Sequence, residues 1–351
     1  MRYWGWLCIL LILSIWYGCV KKPIFPDENT SILPHYKGIL IVNEGLWQQN
    51  NSTLTYYNPI TQLVQRDVFY TVNNQILGDT ANDLIKIGDT LFIVVSTSNT
   101  LYKLDAKTLK IIQTLVIPNG GDLRKIVYIN PQKAYVSALT GQKVWIINPT
   151  TLEVLGSFYV SFPEEMAVLN GKLYITQSNY PPSFKNKNLV VWDINTDTKI
   201  KEIALPVENA THLAVSQNYL WISCTGDYVN PTGAICKINT DYDTIEVSLS
   251  ISNNPTHIRA VQDTVYVLND LGIFRYYSGL TSPQIWIDKN LFAQMGEIFY
   301  NFYFDEKLQK WFIAVSKQFV YDGSVLILDR KGNLEHSFVS GLNPSVIVHN
   351  D

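Results

Sequence analysis

The feature of this sequence that most constrains its fold is a β-meander that recurs along the chain. Its clearest copy spans residues 88–118, where an apolar stretch at 91–95 is followed by two more alternating stretches with polar turns between them. Alternation of period two, with β-branched and aromatic residues, is typical of antiparallel strands that bury one face. We therefore expect residues 91–95, a strand ending at Leu104-Asp105, and residues 109–117 to form three consecutive strands.

Further copies of the first apolar strand can be aligned on this one. They begin at Ile39, Ala134, Leu173, Leu220, Val265 and Trp311. One more expected strand precedes each copy except the one at Ile39, so the module has four strands and recurs every 40 to 50 residues or so. A repeat of this kind predicts an all-β fold, a seven-bladed β-propeller with four-stranded antiparallel blades.

The C-terminal segment supplies the strand that the first copy lacks. Asn343-Pro344 precedes an apolar stretch in the same way as Asn254-Pro255 precedes an expected inner strand. We therefore expect residues 345–349 to complete the first blade and to close the ring. Closure would remove the free sheet edges that invite aggregation.

The composition favours one closed domain and excludes a nucleic-acid-binding surface. The chain has 351 residues, 47% of them hydrophobic, with 9 Trp, 21 Tyr and 14 Phe available for a core. No Pro-, Gly- or Ser-rich linker and no run of like charges divides the repeats. The net charge is −3 and the basic residues are scattered, so no basic stripe is present for nucleic acid. We expect a monomeric propeller over residues 37–351.

Residues 1–18 have the pattern of an export signal. Arg2 precedes an apolar run at 4–17, which is shorter than the roughly 20 residues of a usual membrane span. The Gly18-Cys19 junction resembles a bacterial lipoprotein box, which implies cleavage before Cys19 and its lipidation, with an uncleaved signal anchor as the alternative. Residues 19–36 would then be a tether. The expected location is the cell envelope, as an outer-membrane lipoprotein that is periplasmic or surface-exposed.

Two cysteines remain in the expected propeller. Cys224 and Cys236 fall on consecutive strands that are joined by residues 225–235. If the two residues face each other, their Cβ atoms come within reach of a disulfide, and an oxidising compartment favours that bond. Two buried free thiols are the alternative, because the strand register is not known from the sequence.

No motif in the sequence indicates an enzyme. The chain contains no HExxH, GxSxG, CxxC, P-loop or GxGxxG pattern, and we expect no catalytic residue, cofactor or metal. In a propeller, the loops that enter the inner strands and those that link the second and third strands meet around the channel on one face. That face is where a ligand is expected to bind.

Two groups of residues are candidates for a site on that face. The first group consists of polar residues near the start of the inner strands: Asp83, Lys125, Glu165, His212 and His257. Such a ring of mixed charge could hold a polar ligand or, as the weaker alternative, a metal. The alternative is that these residues cap strand ends and bond to one another or to channel water.

The second group consists of aromatic residues in long polar loops: Trp47, Tyr180, Phe184, Tyr228, Phe319 and Tyr321. Apolar rings in such loops are costly to leave in water, and loops from several blades converge on one rim. They could form a stacking surface for a flat or large ligand, or a contact patch for a protein. The alternative is that each ring packs on its own blade.

Residues 43–105 contain five short stretches that resemble a known family: Asn43-Glu44-Gly45, Leu54-Thr55-Tyr56-Tyr57, Asp67-Val68-Phe69, Leu77-Gly78-Asp79 and Ile93-Val94-Val95. With these stretches, the chain resembles the YncE-like, surface-layer type β-propeller lipoproteins of Bacteroides-type bacteria. Part of that family is similar to surface cobalamin-binding lipoproteins that sit over a TonB-dependent vitamin B12 transporter. The resemblance thus implies a lipid-anchored binding protein, with a corrinoid as candidate ligand and such a transporter as candidate partner.

Two other functions remain open at this point. The propeller could be a scaffold that binds a protein or an envelope polymer. It could also be an enzyme such as a lyase or a quinoprotein-like dehydrogenase, against which the lack of a catalytic motif counts. We expect a binding protein that captures a ligand for outer-membrane uptake.

Overall fold

The computed structural model describes residues 35–230, 232–292 and 296–351. The expected signal, Cys19 and nearly all of the expected tether lie outside these residues. The described chain forms seven four-stranded antiparallel sheets, and it contains no helix long and apolar enough to cross a membrane. The fold is a seven-bladed β-propeller, as the repeat predicts.

The strands follow one another in blade order. Blade 1 contains β1 (Gly38–Asn43), β2 (Thr53–Tyr57) and β3 (Val64–Gln65); blade 2 contains β4 (Ala81–Ile87), β5 (Thr90–Val95), β6 (Thr100–Asp105) and β7 (Ile111–Val116). Blade 3 contains β8 (Leu123–Asn130), β9 (Lys133–Ala138), β10 (Lys143–Asn148) and β11 (Glu153–Tyr159); blade 4 contains β12 (Pro163–Leu169), β13 (Lys172–Gln177), β14 (Asn188–Asp193) and β15 (Thr198–Ala204).

The remaining blades have the same order. Blade 5 contains β16 (Ala210–Ser216), β17 (Tyr219–Cys224), β18 (Thr232–Asn239) and β19 (Thr244–Ser252); blade 6 contains β20 (Ile258–Val261), β21 (Thr264–Asn269), β22 (Gly272–Tyr277) and β23 (Gln284–Asp288). Blade 7 contains β24 (Glu297–Asp305), β25 (Lys310–Lys317), β26 (Tyr321–Leu328) and β27 (Leu334–Leu342), and β28 (Pro344–Asn350) returns to blade 1. A short 3₁₀ helix, Lys289–Leu291, precedes blade 7.

The hydrophobic core lies between neighbouring blades. In β5, Phe92 and Val94 pack in a cluster with blade 3, while Leu91, Ile93 and Val95 pack in a cluster with blade 1. This division follows from the period of two, because successive side chains of a strand point to opposite faces of the sheet. Each fully buried aliphatic or aromatic side chain stabilises the fold by about 1.5–3 kcal/mol.

The C-terminal strand closes the ring in the predicted manner. β28 pairs antiparallel with β1, so that Leu40 lies opposite Val348 and Val42 opposite Val346. At the end of β28, the Nδ2 atom of Asn350 donates to the carbonyl oxygens of Tyr36 at 2.6 Å and Ala106 at 2.7 Å. The last strand is therefore tied to both blade 1 and blade 2.

A short helix near the outer edge of blade 1 is not predicted by the strand pattern. α1 (Val68–Asn73) follows β3, which has only two residues. The Asp67 carboxylate caps the helix by accepting from the Tyr70 N–H at 3.3 Å, and Phe69 packs edge-on against Tyr102 with ring centroids 5.1 Å apart. The helix buries apolar surface near the edge where the outer strand is short.

The third strand of the clearest copy begins later than its alternation indicates. β7 starts at Ile111, not at residue 109, because Leu109 lies in the turn with a φ of +58°. Its N–H donates to the Asp105 carbonyl at 2.8 Å, and the Asp105 carboxylate accepts the Thr108 N–H at 2.8 Å. The polar turn therefore includes one apolar residue that the sequence assigns to the strand.

The expected disulfide is wrong, because the two cysteines are not directly opposite each other. The register of β17 and β18 pairs Cys224 with Ala234 and Ile222 with Cys236, and both cysteines are buried free thiols. Residues in such a diagonal relation have Cα atoms about 7–8 Å apart, beyond the usual disulfide range. The neighbouring Cys236 thiol together with burial raises the pKa of the Cys224 thiol well above its usual value.

Candidate functional site

The inner strands begin on one side of the ring, which we call the mouth face. Contacts between successive inner strands run from β24 through β28, β4, β8, β12 and β16 to β20, so these strands surround the central channel. The loops that enter them, and the loops between the second and third strands, are on the mouth face. Residues at the start of the inner strands therefore lie in the upper channel.

The structure brings the polar residues predicted for the channel into one group. Lys125 Nζ lies 3.8 Å from Asp83 Oδ1 and 3.9 Å from Glu165 Oε2. Glu165 Oε2 lies 4.0 Å from His212 Nε2, and the His212 and His257 rings have centroids 3.7 Å apart. We call these residues, together with Arg259, the channel cluster.

Arg259 belongs to the channel cluster but is not among the residues predicted from the sequence. It is two residues after His257 and therefore points to the same side of β20, so the period of two could have identified it. Its Nε donates to the Phe302 carbonyl at 3.3 Å. Burial lowers the pKa of Arg259, and the Glu165 carboxylate opposes that change.

Most of the charged side chains in the channel cluster are balanced by opposite charges within the same cluster. Burial raises the pKa of Glu165, while Lys125 acts in the opposite direction. Burial lowers the pKa of both histidines well below the usual value. The neighbouring His257 lowers the pKa of His212 further, and Arg259 lowers the pKa of His257 further. Two carboxylates therefore balance Lys125 and Arg259 while the histidine rings are neutral.

Backbone contacts show that the channel cluster also holds the inner strands together. The Asp83 carboxylate accepts the Ile126 N–H at 2.9 Å, and Lys125 Nζ donates to the Asn82 carbonyl at 3.1 Å. Among the described residues, no group of three His, Cys, Asp or Glu side chains is arranged to hold a metal ion. These contacts agree with the alternative reading, in which the five predicted residues bond to strands and to one another.

A second polar network lies closer to the mouth and was not predicted. Arg124 contacts Glu164 Oε1 through Nε at 2.7 Å and through Nη2 at 2.6 Å. The Glu44 carboxylate accepts from Asn82 Nδ2 at 2.9 Å and from the Tyr300 hydroxyl at 2.5 Å. Burial alone would lower the pKa of Arg124, but the Glu164 carboxylate raises it above its ordinary value, so this guanidinium stays charged.

Two of the predicted aromatic residues meet this network in one pocket, which we call the mouth pocket. It has a volume of about 320 Å³, and Trp47, Tyr180, Arg124 and Glu44 are among its lining residues. Trp47 is 67% exposed and Tyr180 is 45% exposed. The pocket therefore combines two accessible rings with a half-buried, charged guanidinium.

The other predicted aromatic residues lie outside the mouth pocket. Phe184 packs on Phe162 with ring centroids 4.7 Å apart, which matches the expectation of packing on its own blade. Phe319 lies edge-on to Tyr300 at 5.8 Å. Tyr228, on its loop, and Tyr321, at the start of β26, are exposed and belong to neither contact.

Comparisons with known proteins agree with the fold. The sequence profile of a family described as "Domain of unknown function (DUF5074)" matches residues 37–246, and a search of curated proteins gave no match. Similar solved structures include a quinonprotein alcohol dehydrogenase-like protein of Bacteroides thetaiotaomicron, with TM-score 0.71, 18% identity and coverage of 90% of this chain and 79% of that one.

Two further structures are similar over most of the chain. Hydrazine synthase of Kuenenia stuttgartiensis has a TM-score of 0.60 at 14% identity, covering 74% of this chain and 85% of that one. The computationally designed protein Ika8 has a TM-score of 0.57 at 13% identity, covering 89% and 90%. Identities this low establish a shared fold and nothing about a shared ligand or activity.

Proposed function

This chain belongs to the DUF5074 family, and we propose that it is an extracytoplasmic binding protein that holds a ligand against the mouth face without catalysing a reaction. The observation that carries the proposal is the mouth pocket, where Trp47 and Tyr180 stand accessible beside Arg124. Exposed aromatic rings next to a fixed charge are typical of recognition sites. The signal-like residues 1–18 and the lipoprotein-like Cys19 support an envelope location.

The chemistry of the mouth pocket favours a ligand with a flat apolar part and a polar acceptor group. Arg124 uses Nε and Nη2 for Glu164, and its Nη1 has no acceptor among the described residues. A ligand amide, carboxylate or phosphate could accept from that nitrogen while an apolar part lies on the Trp47 ring. Such a bond is charge-assisted and would fix the orientation of the ligand.

A corrinoid is the first ligand to test, because the family resemblance implies it and because it has a flat ring with amide side groups. A volume of about 320 Å³ is near the lower limit for a small-molecule site. A corrinoid would therefore place one edge in the mouth pocket and lie across the face. In this proposal the protein passes the corrinoid to a TonB-dependent outer-membrane transporter.

The direct test is a calorimetric titration of the purified, signal-free protein with cyanocobalamin. The proposal predicts saturable binding at micromolar concentration or tighter. Absence of binding at that concentration would remove the corrinoid. If a different small molecule with a flat ring and an acceptor group binds, the wider proposal of a ligand-binding face stands.

A second candidate function is a contact with another protein, supported by other loops of the mouth face. Tyr228 is 63% exposed and Val229 is 83% exposed, and the three consecutive residues Phe319, Val320 and Tyr321 are exposed as well. Accessible apolar side chains of this kind often mark protein interfaces. Replacing Val229 and Tyr321 with Ser should abolish such a contact and leave small-ligand binding unchanged.

A further inference from the structure

Two successive blade junctions are closed by the same contact on the side opposite the mouth face. Between blades 3 and 4, Lys133 Nζ lies 2.6 Å from Asp197 Oδ2, and the Tyr135 hydroxyl donates to the same carboxylate. The Asp lies in the turn before the outer strand of the next blade. The junction between blades 4 and 5 repeats the contact with Lys172, Tyr174 and Asp243.

The junction between blades 5 and 6 lacks this contact and contains a cavity. Tyr219 and Trp221 occupy the first and third positions of β17, which correspond to those of Lys172 and Tyr174 in β13. Within the described residues, neither side chain bonds to the outer turn of blade 6. A cavity of about 370 Å³ lies here, and we call it the junction cavity.

A comparison of two lysines shows how the junction cavity stays open. Lys103 of blade 2 crosses to blade 3, where its Nζ donates to the carbonyl oxygens of Pro149 at 3.0 Å and Thr150 at 2.8 Å. Lys237 is opposite Trp221 in blade 5 just as Lys103 is opposite Phe92 in blade 2. Lys237 remains in its own blade, however, where it pairs with Glu246 at 3.0 Å.

Aromatic rings form the walls of the junction cavity. Trp221 is buried, and Tyr276 meets it edge-on with ring centroids 5.9 Å apart. Tyr219 lies on the same side of β17 as Trp221, and the Lys237 ammonium is 3.4 Å from its ring centroid. Tyr277 adds a fourth ring. Four aromatic rings thus line a space within the usual size range of small-molecule sites.

Several polar groups of the junction cavity have no protein partner. In the part of the chain that the structure describes, the hydroxyls of Tyr219 and Tyr276 make no hydrogen bond, and the Asp263 carboxylate makes neither a hydrogen bond nor an ion pair. Ser216 and Gln217 add further polar atoms. These unpartnered polar groups lie beside aromatic rings. A ligand that is apolar on its faces and carries hydrogen-bonding groups around its edge would match both features.

We propose that the junction cavity binds a single sugar ring that carries no negative charge. A sugar ring presents C–H groups on its faces and hydroxyls around its edge, which matches both the aromatic walls and the unpartnered polar groups. The charge of Lys237 is balanced by Glu246, whereas Asp263 has no counter-ion among the residues that the structure describes, so the fixed charge disfavours an acidic sugar. This site is on the opposite side from the mouth pocket and does not depend on the function proposed for it.

The test uses the purified protein and a panel of methyl glycosides of glucose, galactose, mannose, glucosamine and glucuronic acid. Saturation-transfer NMR detects binding and calorimetry gives the affinity. The proposal predicts saturable millimolar or tighter binding of at least one neutral or amino sugar and weaker binding of the glucuronide. It is overturned if no sugar of the panel binds, or if the glucuronide binds best.

Variants place the binding in the junction cavity. Asp263→Asn and Tyr276→Phe should each weaken sugar binding by about tenfold, the effect of losing one strong hydrogen bond. Asp89→Asn is the matched control, because Asp89 is an exposed carboxylate in the corresponding turn of blade 2. Unchanged affinity in both cavity variants, with the folded state verified by circular dichroism, would contradict the proposal.

Discussion

Val42 in the first strand of the propeller lies opposite Val346 in the last strand, so one residue pair joins the two ends of the described chain. Both side chains are buried in the same core cluster as Leu84 of blade 2. The blade-to-blade core therefore continues across the point where the ring closes. Closure is a packing contact as well as a ladder of backbone hydrogen bonds.

Truncation after Asn343 removes β28 and should severely destabilise the protein. Each buried Val contributes about 1.5 kcal/mol or more, and the exposed edge of β1 loses its partner as well. A typical domain is stable by only about 5–15 kcal/mol, so we expect a large fall in Tm and aggregation. Deletion of Asp351 alone, which only removes pairs with Lys86 and Lys307, should change Tm little. A truncated protein that stays monomeric with a similar Tm would show that β28 does not close the ring.

The two cysteines should behave as buried free thiols. We expect that a thiol reagent will label neither Cys224 nor Cys236 in the folded protein, since both are fully buried. In denaturant without a reducing agent, it should label both. Mass spectrometry counts the labels, and a denatured protein that carries no label would mean that a disulfide forms after all.

The two half-buried histidines of the channel cluster should make the protein less stable as the pH falls. Both have a folded-state pKa well below the usual value near 6.5, so the unfolded chain takes up their protons first. The stability that they provide is present above about pH 6.5 and is lost as the pH falls toward their folded-state pKa. Lys125, Arg124 and Arg259 act in the same direction by opposing protonation of His212.

The raised pKa of Glu165 acts in the opposite direction, because the folded protein takes up this proton before the unfolded chain does as the pH falls. Protonation of Glu165 therefore offsets part of the loss of stability at acid pH. We expect a net loss of about 1–2 kcal/mol between pH 7.5 and 5.5 from denaturant unfolding. The double variant His212→Gln, His257→Gln should lose less over this range. An equal loss in the variant would assign the pH dependence to other groups.

Lipidation at Cys19 stays a prediction from the sequence. In cells supplied with labelled palmitate, the full chain should carry the label and fractionate with membranes. Cys19→Ala should carry no label, whereas Cys8→Ala, which changes a cysteine within the signal, should still be labelled. Membrane fractionation of Cys19→Ala without any label would favour an uncleaved signal anchor.

The blades could be predicted because each strand shows its pattern locally. The alternation in β5 and the turn at Asp105 appear in the sequence without any knowledge of neighbouring strands. The helix α1 was missed because six residues are too few to show a helical period, and because it depends on the shortness of β3. The disulfide prediction was wrong for a related reason, since the register of β17 and β18 is set by strand pairing that the sequence does not show.

The candidate site was predictable only in part. The channel residues were found because every inner strand begins at the same depth, so His212 and His257 must approach each other. Arg124 and Glu44 were missed because their places depend on which loops of different blades come together. Trp47 and Tyr180 were recognised as unusual in polar loops, but their shared pocket follows from the three-dimensional arrangement of blades 1 and 4.

Whether the ligand binds in the mouth pocket can be tested by measuring the affinity for cyanocobalamin in three matched variants. Trp47→Ala and Tyr180→Ala remove rings that line the pocket, and Tyr228→Ala removes an exposed ring outside it. Loss of one stacking ring should weaken binding about tenfold. If the mouth pocket is the binding site, we expect this loss in the first two variants and wild-type affinity in Tyr228→Ala. Equal affinity in all three variants, or the largest loss in Tyr228→Ala, would contradict it.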